Sequence, residues 1–355
     1  MHRLSTLKQT LRTEAHRLGF THFGVSPAHP IPHLQTYLAW VGAGRHADMG
    51  YLARPDTLAK RADPSLILAG CQRVICMAMP YDPPHAPPGE TRPGWGRISA
   101  YARTTDYHLT IQDKLYALEA FIHTQGGDHI SLKSYVDTGP VLERAYAVQA
   151  GLGMFGKNTN LIIPKTGSYL FLAVILTDLE LPNDPPFTRD LCRSCQRCIE
   201  ACPTGCIRAD RTLDAGRCIS YLTIENKGII PDPLKRQVGS WLFGCDICQM
   251  VCPHNARAAS QPGALGQPRL PEFMDVVEII TWGQAEFKAA TDSTALSRAK
   301  LRGLVRNAAI VLGNQREIQA LPAITTRLAQ ETDPIIQDAL KWAIHQIEHN
   351  GPTDD

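Results

Sequence analysis

The spacing of the cysteines constrains this chain more than any other feature. Cys192, Cys195, Cys198 and Cys202 form a C-x2-C-x2-C-x3-C run that Pro203 follows. This is the bacterial ferredoxin run, in which three thiolates bind one [4Fe–4S] cluster and the fourth binds the other cluster of a pair. The run therefore predicts a ferredoxin-like segment with two clusters, and further ligands elsewhere in the chain.

A second cysteine run lies downstream and lacks one member. It has the form C-x2-C-x3-C and is again followed by proline, but Leu242 stands where a fourth cysteine would complete it. Cys218 is the remaining cysteine placed to substitute. Because the fourth ligand of each run crosses to the other cluster, we predict these sets: Cys192, Cys195, Cys198 and Cys252 for one cluster, and Cys202, Cys218, Cys245 and Cys248 for the other.

A zinc site is the alternative interpretation of these cysteines. Zinc binds four ligands, commonly from separated C-x2-C pairs, and not a compact run of four that ends in proline. We therefore favour clusters. Three further cysteines need no cofactor: Cys206, beside the first run, is expected to be a packed thiol, and Cys71 and Cys76 flank a predicted strand and are expected in the core.

Composition excludes several classes of protein. The chain has 355 residues, enough for two or three domains, and a formal charge of only +2, too small to imply nucleic acid by itself. It has no run of about eighteen apolar residues, and its start lacks the apolar core of a signal peptide. We therefore expect a cytoplasmic protein, where cysteines are more often metal ligands than disulfides.

Hydrophobic patterns predict a mixed fold. Strands are predicted at 73–80, 131–137 and 169–179, and a helix at 140–150 with Pro140 at its first position. After the Gly/Pro-containing stretch 254–271 the chain is mostly helical, in pairs that resemble a HEAT-like unit. The predicted domains are an α/β (α+β) domain at 1–180, a ferredoxin-like two-cluster domain at 181–262 and a helical HEAT-like domain at 263–355.

The segment GLGMFGKN (151–158) matches two nucleotide-binding motifs in part. Both the dinucleotide fingerprint and the phosphate loop require a strand before the glycines and a helix after them. Here a predicted helix precedes the glycines and a strand-like run follows, and Asn158 replaces the metal-binding hydroxyl. We reject both motifs and expect the glycines to allow close approach of another ligand.

Two clusters imply a further redox centre, and a large N-terminal domain is available to hold it. Several segments together resemble one family, the epoxyqueuosine reductases, which are cobalamin and iron–sulfur enzymes that complete queuosine in tRNA. The segments are KRADP (60–64), DYH (106–108), VDTGPVLERAYAVQAGLGMFGKNTNLIIP (136–164), CRSCQRCIEACPTG (192–205), RCISYLTIENKG (217–228) and FGCDICQMVCPHN (243–255).

The resemblance implies a reaction and its partners. An epoxide on the cyclopentane ring of the modified wobble base is reduced to the alkene with loss of water, which takes two electrons and two protons. The clusters would pass electrons singly to cobalamin from an external low-potential donor, and the substrate would be tRNA carrying epoxyqueuosine. We expect a monomer that makes no membrane contact.

The resemblance also implies a proton donor, Asp137. A carboxylic acid that donates at neutral pH needs a raised pKa, which burial beside a cofactor would provide. The alternative role is a helix cap or dipole partner. With Pro140 at the first helical position, Gly139 would be the cap, which leaves Asp137 too far upstream and favours the catalytic role.

The cobalamin signature D-x-H-x-x-G, which supplies a histidine to cobalt, is absent. Asp106-Tyr107-His108 begins like it, but Ile111 stands in place of the glycine. This agrees with the resemblance, in which the corrinoid is held without such a ligand. The residues that the resemblance implies for corrinoid contact are Arg61, Asn158, Ser220 and Asp246.

Basic residues gather near the start of the helical C-terminus and in the loop after Cys218. We predict that they contact tRNA phosphates, and a solvated helix face is the alternative interpretation. The predicted tRNA-binding residues are Asn226, Lys227, Arg298, Lys300, Arg302 and Arg306.

Two other functions compete with this interpretation. A reductive dehalogenase-like corrinoid enzyme would share cobalamin and two clusters, and tRNA binding would argue against it. A ferredoxin-type electron-transfer subunit would carry the clusters alone, and corrinoid in the purified protein would argue against that.

Overall fold

The computed structural model describes residues 2–31, 33–256 and 265–349. The strands are β1 (His22–Pro27), β2 (Arg73–Pro80), β3 (Trp95–Ile98), β4 (Leu132–Tyr135), β5 (Met154–Phe155), β6 (Leu161–Ile162), β7 (Leu170–Thr177), β8 (Trp241–Phe243) and β9 (Phe273–Asp275). The helices are α1 (His2–Arg17), α2 (Leu34–Gly42), α3 (Pro55–Ala62), α4 (Tyr107–Gly126), α5 (Glu143–Gln149), α6 (Arg197–Glu200), α7 (Ile219–Ile224), α8 (Asp232–Val238), α9 (Ile247–Met250), α10 (Pro253–Ala256), α11 (Val276–Thr281), α12 (Gln284–Thr291), α13 (Lys300–Gln315), α14 (Leu321–Gln330) and α15 (Pro334–Glu348).

The largest sheet has the strand order β1-β2-β7-β4, and each neighbouring pair is antiparallel. Successive side chains of β2 alternate between two cores: Ile75 and Met77 pack with α1 and α4, and Val74 and Cys76 pack with α5. Because both faces are covered, the strands are continuous apolar runs, the feature that predicted them. The strands predicted at 73–80, 131–137 and 169–179 are confirmed.

A smaller sheet joins distant parts of the chain. Its order is β8-β3-β9, with β3 parallel to β8 and antiparallel to β9. β3 therefore ties the segment before residue 180 to the cysteine segment and to the chain beyond it. The division into three domains stays a prediction, and its second boundary, at 262–263, lies outside the described residues.

The C-terminal part is helical, as predicted. α13 packs on α15, α11 and β8, and its middle is buried on every side from Gly303 to Gly313. α15 begins after Asp333, whose side chain accepts a hydrogen bond from the backbone of Ile335. No helix in the described ranges is long and apolar enough to cross a membrane.

The loop before α5 differs from the prediction. The helix begins at Glu143 and not at Pro140, so the argument that made Gly139 the cap is wrong. Asp137 takes a left-handed backbone conformation with φ 59°, and its N–H donates to the Glu143 carboxylate at 2.9 Å. The chain therefore turns for several residues before it enters the helix.

The glycines at 151–156 lie before and within a short hairpin, and no helix follows them. β5 pairs with β6, which confirms that the segment is no nucleotide-binding loop. A Cβ on Gly153 would lie 2.3 Å from the carbonyl oxygen of Ile162. This glycine permits close approach of the protein's own backbone, and the ligand expected near the segment stays a prediction.

Candidate functional site

The structure brings together the four cysteines predicted for the first cluster. Cys192, Cys195 and Cys198 come from one loop and the start of α6, and Cys252 follows α9, which packs on α6. Burial raises the pKa of Cys198 to about 11, and the thiols of Cys192, Cys252 and Cys195 add to that rise. These side chains are therefore electrostatic neighbours, an arrangement that fits one cluster.

The cysteines predicted for the second cluster also converge. The Cys248 thiol lies near those of Cys218 and Cys202, and the Cys245 thiol lies near those of Cys248 and Cys218. Burial, with these neighbouring thiols, raises the pKa of Cys245 and Cys248, so both stay protonated unless a positive metal centre stabilises the thiolates. The donor set thus fits a cluster that takes ligands from three separate segments.

A fifth thiol lies in the second group. Cys206 is buried, with its Sγ 3.5 Å from that of Cys202, and it lies within hydrogen-bond reach of Cys218. Its burial agrees with the prediction of a packed thiol. Its contact with two predicted ligands was not anticipated, because sequence spacing places Cys206 beside the first run only.

Asp137 lies in the loop after β4, with its side chain 68% exposed. Its Oδ2 accepts a hydrogen bond from the Tyr107 hydroxyl at 2.8 Å and lies 3.7 Å from Nε2 of His108. Its carboxylate accepts no N–H of α5, and the helix-cap alternative is therefore wrong. The carboxylate instead faces the start of α4.

The charges at this site differ from the prediction. The His108 imidazole lowers the pKa of Asp137, and the Tyr107 hydrogen bond adds to this effect, so the expected raised pKa is wrong. Burial opposes the charge on His108, but Asp106 and Asp137 outweigh it and raise the pKa of His108 to about 9. At neutral pH the site therefore holds an imidazolium beside a carboxylate.

The sequence Asp106-Tyr107-His108 builds this arrangement locally. Asp106 caps α4 by accepting from the backbone N–H of His108 at 3.0 Å, and the same oxygen lies 2.7 Å from Nδ1 of the imidazole. The imidazole is thereby fixed with Nε2 toward Asp137. The resemblance to a cobalamin signature drew attention to these residues, but for a different role.

Aromatic side chains connect the Asp137 site to the cysteine segment. Tyr107 stacks on Phe171 with ring centroids 4.2 Å apart. Tyr101 lies edge-on to Tyr107 at 6.1 Å, and 6.3 Å from Phe243 at the end of β8. Because β8 leads directly into the second cysteine run, one aromatic layer separates the acid–base groups from the second cluster's ligands.

The four predicted corrinoid contacts differ in burial and in the partners of their side chains. Arg61 donates to the Tyr37 hydroxyl and stacks over its ring at 4.8 Å, while its buried Nε has no partner in the described part of the chain. Asn158 is buried and donates to the carbonyl of Cys248 at 3.3 Å. Ser220 is half-buried, two positions after Cys218.

Asp246 is buried and accepts hydrogen bonds from within the protein. It is 1% exposed, and its carboxylate accepts from the backbone of Ala100 at 2.7 Å and from Gln249 at 3.2 Å. Burial raises the pKa of Asp246 to about 6. Through these two hydrogen bonds Asp246 holds the segment after β3 against the second cysteine run, and its corrinoid contact stays a prediction.

Arg306 is not available to tRNA, and that prediction is wrong. The residue is 2% exposed. Its guanidinium donates to the carbonyls of Leu222, Asn226 and Gly228 at 2.6 to 2.9 Å. A buried guanidinium with these acceptors stabilises the turn after α7. Asn226 is likewise occupied, because its Oδ1 accepts from Arg306.

The other predicted tRNA residues lie at the surface. Arg298 pairs with Glu225, and Arg302 pairs with Asp333; the two arginine side chains are about half exposed. Lys227 donates to backbone carbonyls, including that of Arg298 at 3.2 Å. Exposed pairs of this kind exchange partners at little cost, so these cations can still meet phosphates.

Lys300 is exposed and has no acidic partner among the described residues. It lines a cavity of about 450 Å³ together with Arg302 and Arg327. Arg298 also lies close enough to Asp137 for its charge to lower the pKa of that carboxyl. A basic surface therefore begins at the Asp137 site and continues along the start of α13.

Two family models match the chain. Residues 191–255 match the 4Fe-4S double cluster binding domain, and residues 61–138 match the family described as epoxyqueuosine reductase QueG, DUF1730. The double-cluster segment, joined to an α/β sheet domain and a helical C-terminus, defines an iron–sulfur oxidoreductase.

Full-length relatives identify the family. An epoxyqueuosine reductase from Pseudomonas aeruginosa is 36% identical over 349 residues, which cover 96% of this chain and 94% of the relative. The Escherichia coli epoxyqueuosine reductase is 35% identical over 97% of this chain and 90% of the relative. The chain belongs to the epoxyqueuosine reductase family.

Solved structures of the family have the same fold. A crystal structure of epoxyqueuosine reductase with an epoxyqueuosine-modified tRNA-Tyr stem loop is 31% identical, with a TM-score of 0.87 over 97% of this chain and 91% of that one. A Bacillus subtilis epoxyqueuosine reductase, 30% identical with a TM-score of 0.86 over 97% of this chain and 91% of that one, was solved with a catalytic aspartate loop swung out of its active site.

Proposed function

We propose that this protein reduces epoxyqueuosine to queuosine at the wobble position of tRNA, as its relatives' names indicate. One observation carries the proposal. Asp137, Tyr107 and His108 form a proton-holding group that a single aromatic layer separates from the second cysteine run. Reduction of an epoxide with loss of water needs electrons and protons at one place, and this arrangement brings both within reach of one substrate.

Cobalamin is the second cofactor in this proposal. When bound, it would supply electrons of low potential for reduction of the epoxide. Three side chains could contact the corrinoid. The buried Nε of Arg61 has no acceptor in the described part of the chain, and Asn158 and Ser220 lie beside predicted cluster ligands. An unpartnered buried N–H is costly unless a ligand accepts from it, which supports a polar group at this position.

The protein's own residues handle the protons. Two protons and two electrons convert the epoxide oxygen to water as both of its C–O bonds break and the alkene forms. His108 holds a proton at neutral pH, and Asp137 lies between the imidazole and the open side of the site. Asp137 thus passes a proton from His108 to the departing oxygen, and Tyr107 orients its carboxylate.

The tRNA would lie along the basic surface that begins at Arg298. Lys227, Lys300 and Arg302 face the same cavity, and this surface borders Asp137. A structure of a relative with a modified tRNA stem loop supports this partner. The helices α13, α14 and α15 would form the HEAT-like support of the surface, although α13 is also part of the core behind β8.

The test is conversion in vitro. Protein reconstituted anaerobically with iron, sulfide and cobalamin should convert an epoxyqueuosine-containing tRNA stem loop to the queuosine form when a low-potential reductant is supplied. Mass spectrometry of the released nucleoside should show the loss of one oxygen atom. Unchanged epoxyqueuosine with fully loaded protein would contradict the proposal, as would activity that needs no cobalamin. An external electron donor, a monomeric state and a cytoplasmic location remain predictions.

A further inference from the structure

The loop that carries the first cluster's ligands presents an exposed face. The residues between its cysteines, Arg193, Ser194, Gln196 and Arg197, are all exposed. Between Cys245 and Cys248, by contrast, the chain carries the buried Asp246. Electrons from outside therefore have their most open approach at the first cluster, and the second cluster lies on the side of the aromatic layer and Asp137.

Positive charge is concentrated on this face. Arg193 and Arg197 have no acidic partner among the described residues, and the exposed Arg189 lies 5.3 Å over the ring of Phe187. The nearby Asp190 is already neutralised by Arg211, 2.8 Å away. The whole chain has a formal charge of only +2, so the excess of positive charge beside the first cluster's ligands belongs to this face and not to the protein as a whole.

An apolar cavity adjoins these arginines. It has a volume of about 540 Å³ and is lined by Met250, Val251 and Pro253, with Cys252, a predicted ligand of the first cluster, in its wall. Arg197 and Glu200 stand in the same lining. An apolar patch with a charged rim is the usual composition of a protein interface.

We propose that the arginine face formed by Arg189, Arg193 and Arg197, with the cavity beside Cys252, is the docking surface for an acidic one-electron carrier protein. Each encounter oxidises the carrier by one electron and reduces the first cluster by one, so two encounters supply one epoxide reduction. The proposal rests on the proposed function only in requiring an external electron source. Opposite charges would speed the encounter and orient the two cofactors.

The test measures reduction of the clusters in holoprotein without tRNA or substrate, so it does not depend on the proposed reaction. The variant carries Arg193→Glu and Arg197→Glu, and the probe is a reduced plant-type [2Fe–2S] ferredoxin, an acidic carrier. Stopped-flow bleaching of the clusters gives a second-order rate constant. We expect it to fall at least about tenfold at low ionic strength, with the difference shrinking as salt is added.

Two controls keep the result interpretable. Dithionite, a small reductant that needs no docking surface, should reduce the variant as fast as the wild type. Arg236→Glu, which reverses an exposed arginine on α8, should leave the ferredoxin rate unchanged. If the double reversal loses iron, Arg193→Gln with Arg197→Gln removes the same charges more gently, with a smaller fall expected.

Two outcomes would overturn the proposal. One is a ferredoxin rate in the iron-replete double variant equal to that of the wild type; if binding of a tRNA stem loop is weakened at the same time, the arginine face is assigned to RNA. The other is a loss of ferredoxin rate in Arg236→Glu as large as that in the double variant.

Discussion

Replacing Asp137 by Asn separates the proton role of this residue from its structural roles. The amide keeps the size of the carboxylate. Its oxygen can still accept the hydrogen bond that the Tyr107 hydroxyl donates to Asp137 at 2.8 Å. Asn also tolerates the left-handed backbone that Asp137 adopts at φ 59°. The substitution therefore removes the charge and the exchangeable acid and leaves the loop conformation in place.

The structure sets the size of the expected effects. The side chain is 68% exposed and caps no helix, so loss of its charge should change the free energy of unfolding by less than about 1 kcal/mol. General acid catalysis contributes about a hundred- to ten-thousand-fold, so turnover should fall by a factor within that range. Iron and corrinoid content should be unchanged.

The assay is epoxide reduction on a saturating modified tRNA stem loop, with turnover normalised to bound corrinoid. Asp113→Asn is the matched control, because it neutralises an exposed aspartate on α4 that has no ion pair in the described residues. Near-wild-type turnover in Asp137→Asn would refute the proton-donor role. So would a loss of turnover that Asp113→Asn shares.

Three further predictions concern the neighbouring groups. Turnover should fall as pH rises through about 9, where His108 loses its proton. The stability that the raised pKa of His108 provides is fully present below about pH 6.5 and is lost as the pH rises from there through about 9. A pH profile of turnover without this fall would remove His108 from the proton path. Cys218→Ala should lose the second cluster's iron and spectral signal while Cys206→Ala keeps both, and the reverse result would exchange their roles. Lys300→Ala should lower the salt dependence of stem-loop binding by about one counterion, whereas Lys341→Ala, also exposed, should not; equal slopes would contradict the phosphate contact.

Features carried by short spacing could be predicted from the sequence. The cysteine runs predicted a two-cluster segment, and residues 191–255 match a 4Fe-4S double cluster binding domain, whereas the two ligand sets and the choice of Cys218 over Cys206 stay predictions. The buried strands were likewise visible, because a strand covered on both faces must be apolar throughout. In each case a few neighbouring residues carry the whole signal.

Features that depend on distant partners could not be predicted. Arg306 looked like a surface cation, but carbonyls after α7 bury it. The pKa of Asp137 is lowered because α4 places His108 beside it, thirty or so positions earlier in the chain. Pro140 suggested a helix start, but the hydrogen bond between Asp137 and Glu143 closes a turn first. Sequence position alone does not encode these contacts.

A truncation of the C-terminus would be a poor test of tRNA binding. α13 buries Leu304 and Val305 in the same core as Leu242 and Phe243, directly before the second cysteine run. Its removal would expose that core and endanger the clusters. Single surface substitutions such as Lys300→Ala test the interface without this loss.

The central claim is that one chain reduces an epoxide on tRNA with electrons from its clusters and a proton through Asp137. The most direct measurement is single-turnover conversion of an epoxyqueuosine stem loop by anaerobic holoprotein, with cluster oxidation and nucleoside mass followed in the same reaction. We predict that two electrons leave the reduced clusters for each oxygen atom lost from the nucleoside, and that Asp137→Asn slows both together. Cluster oxidation without oxygen loss, or oxygen loss without cluster oxidation, would contradict the account.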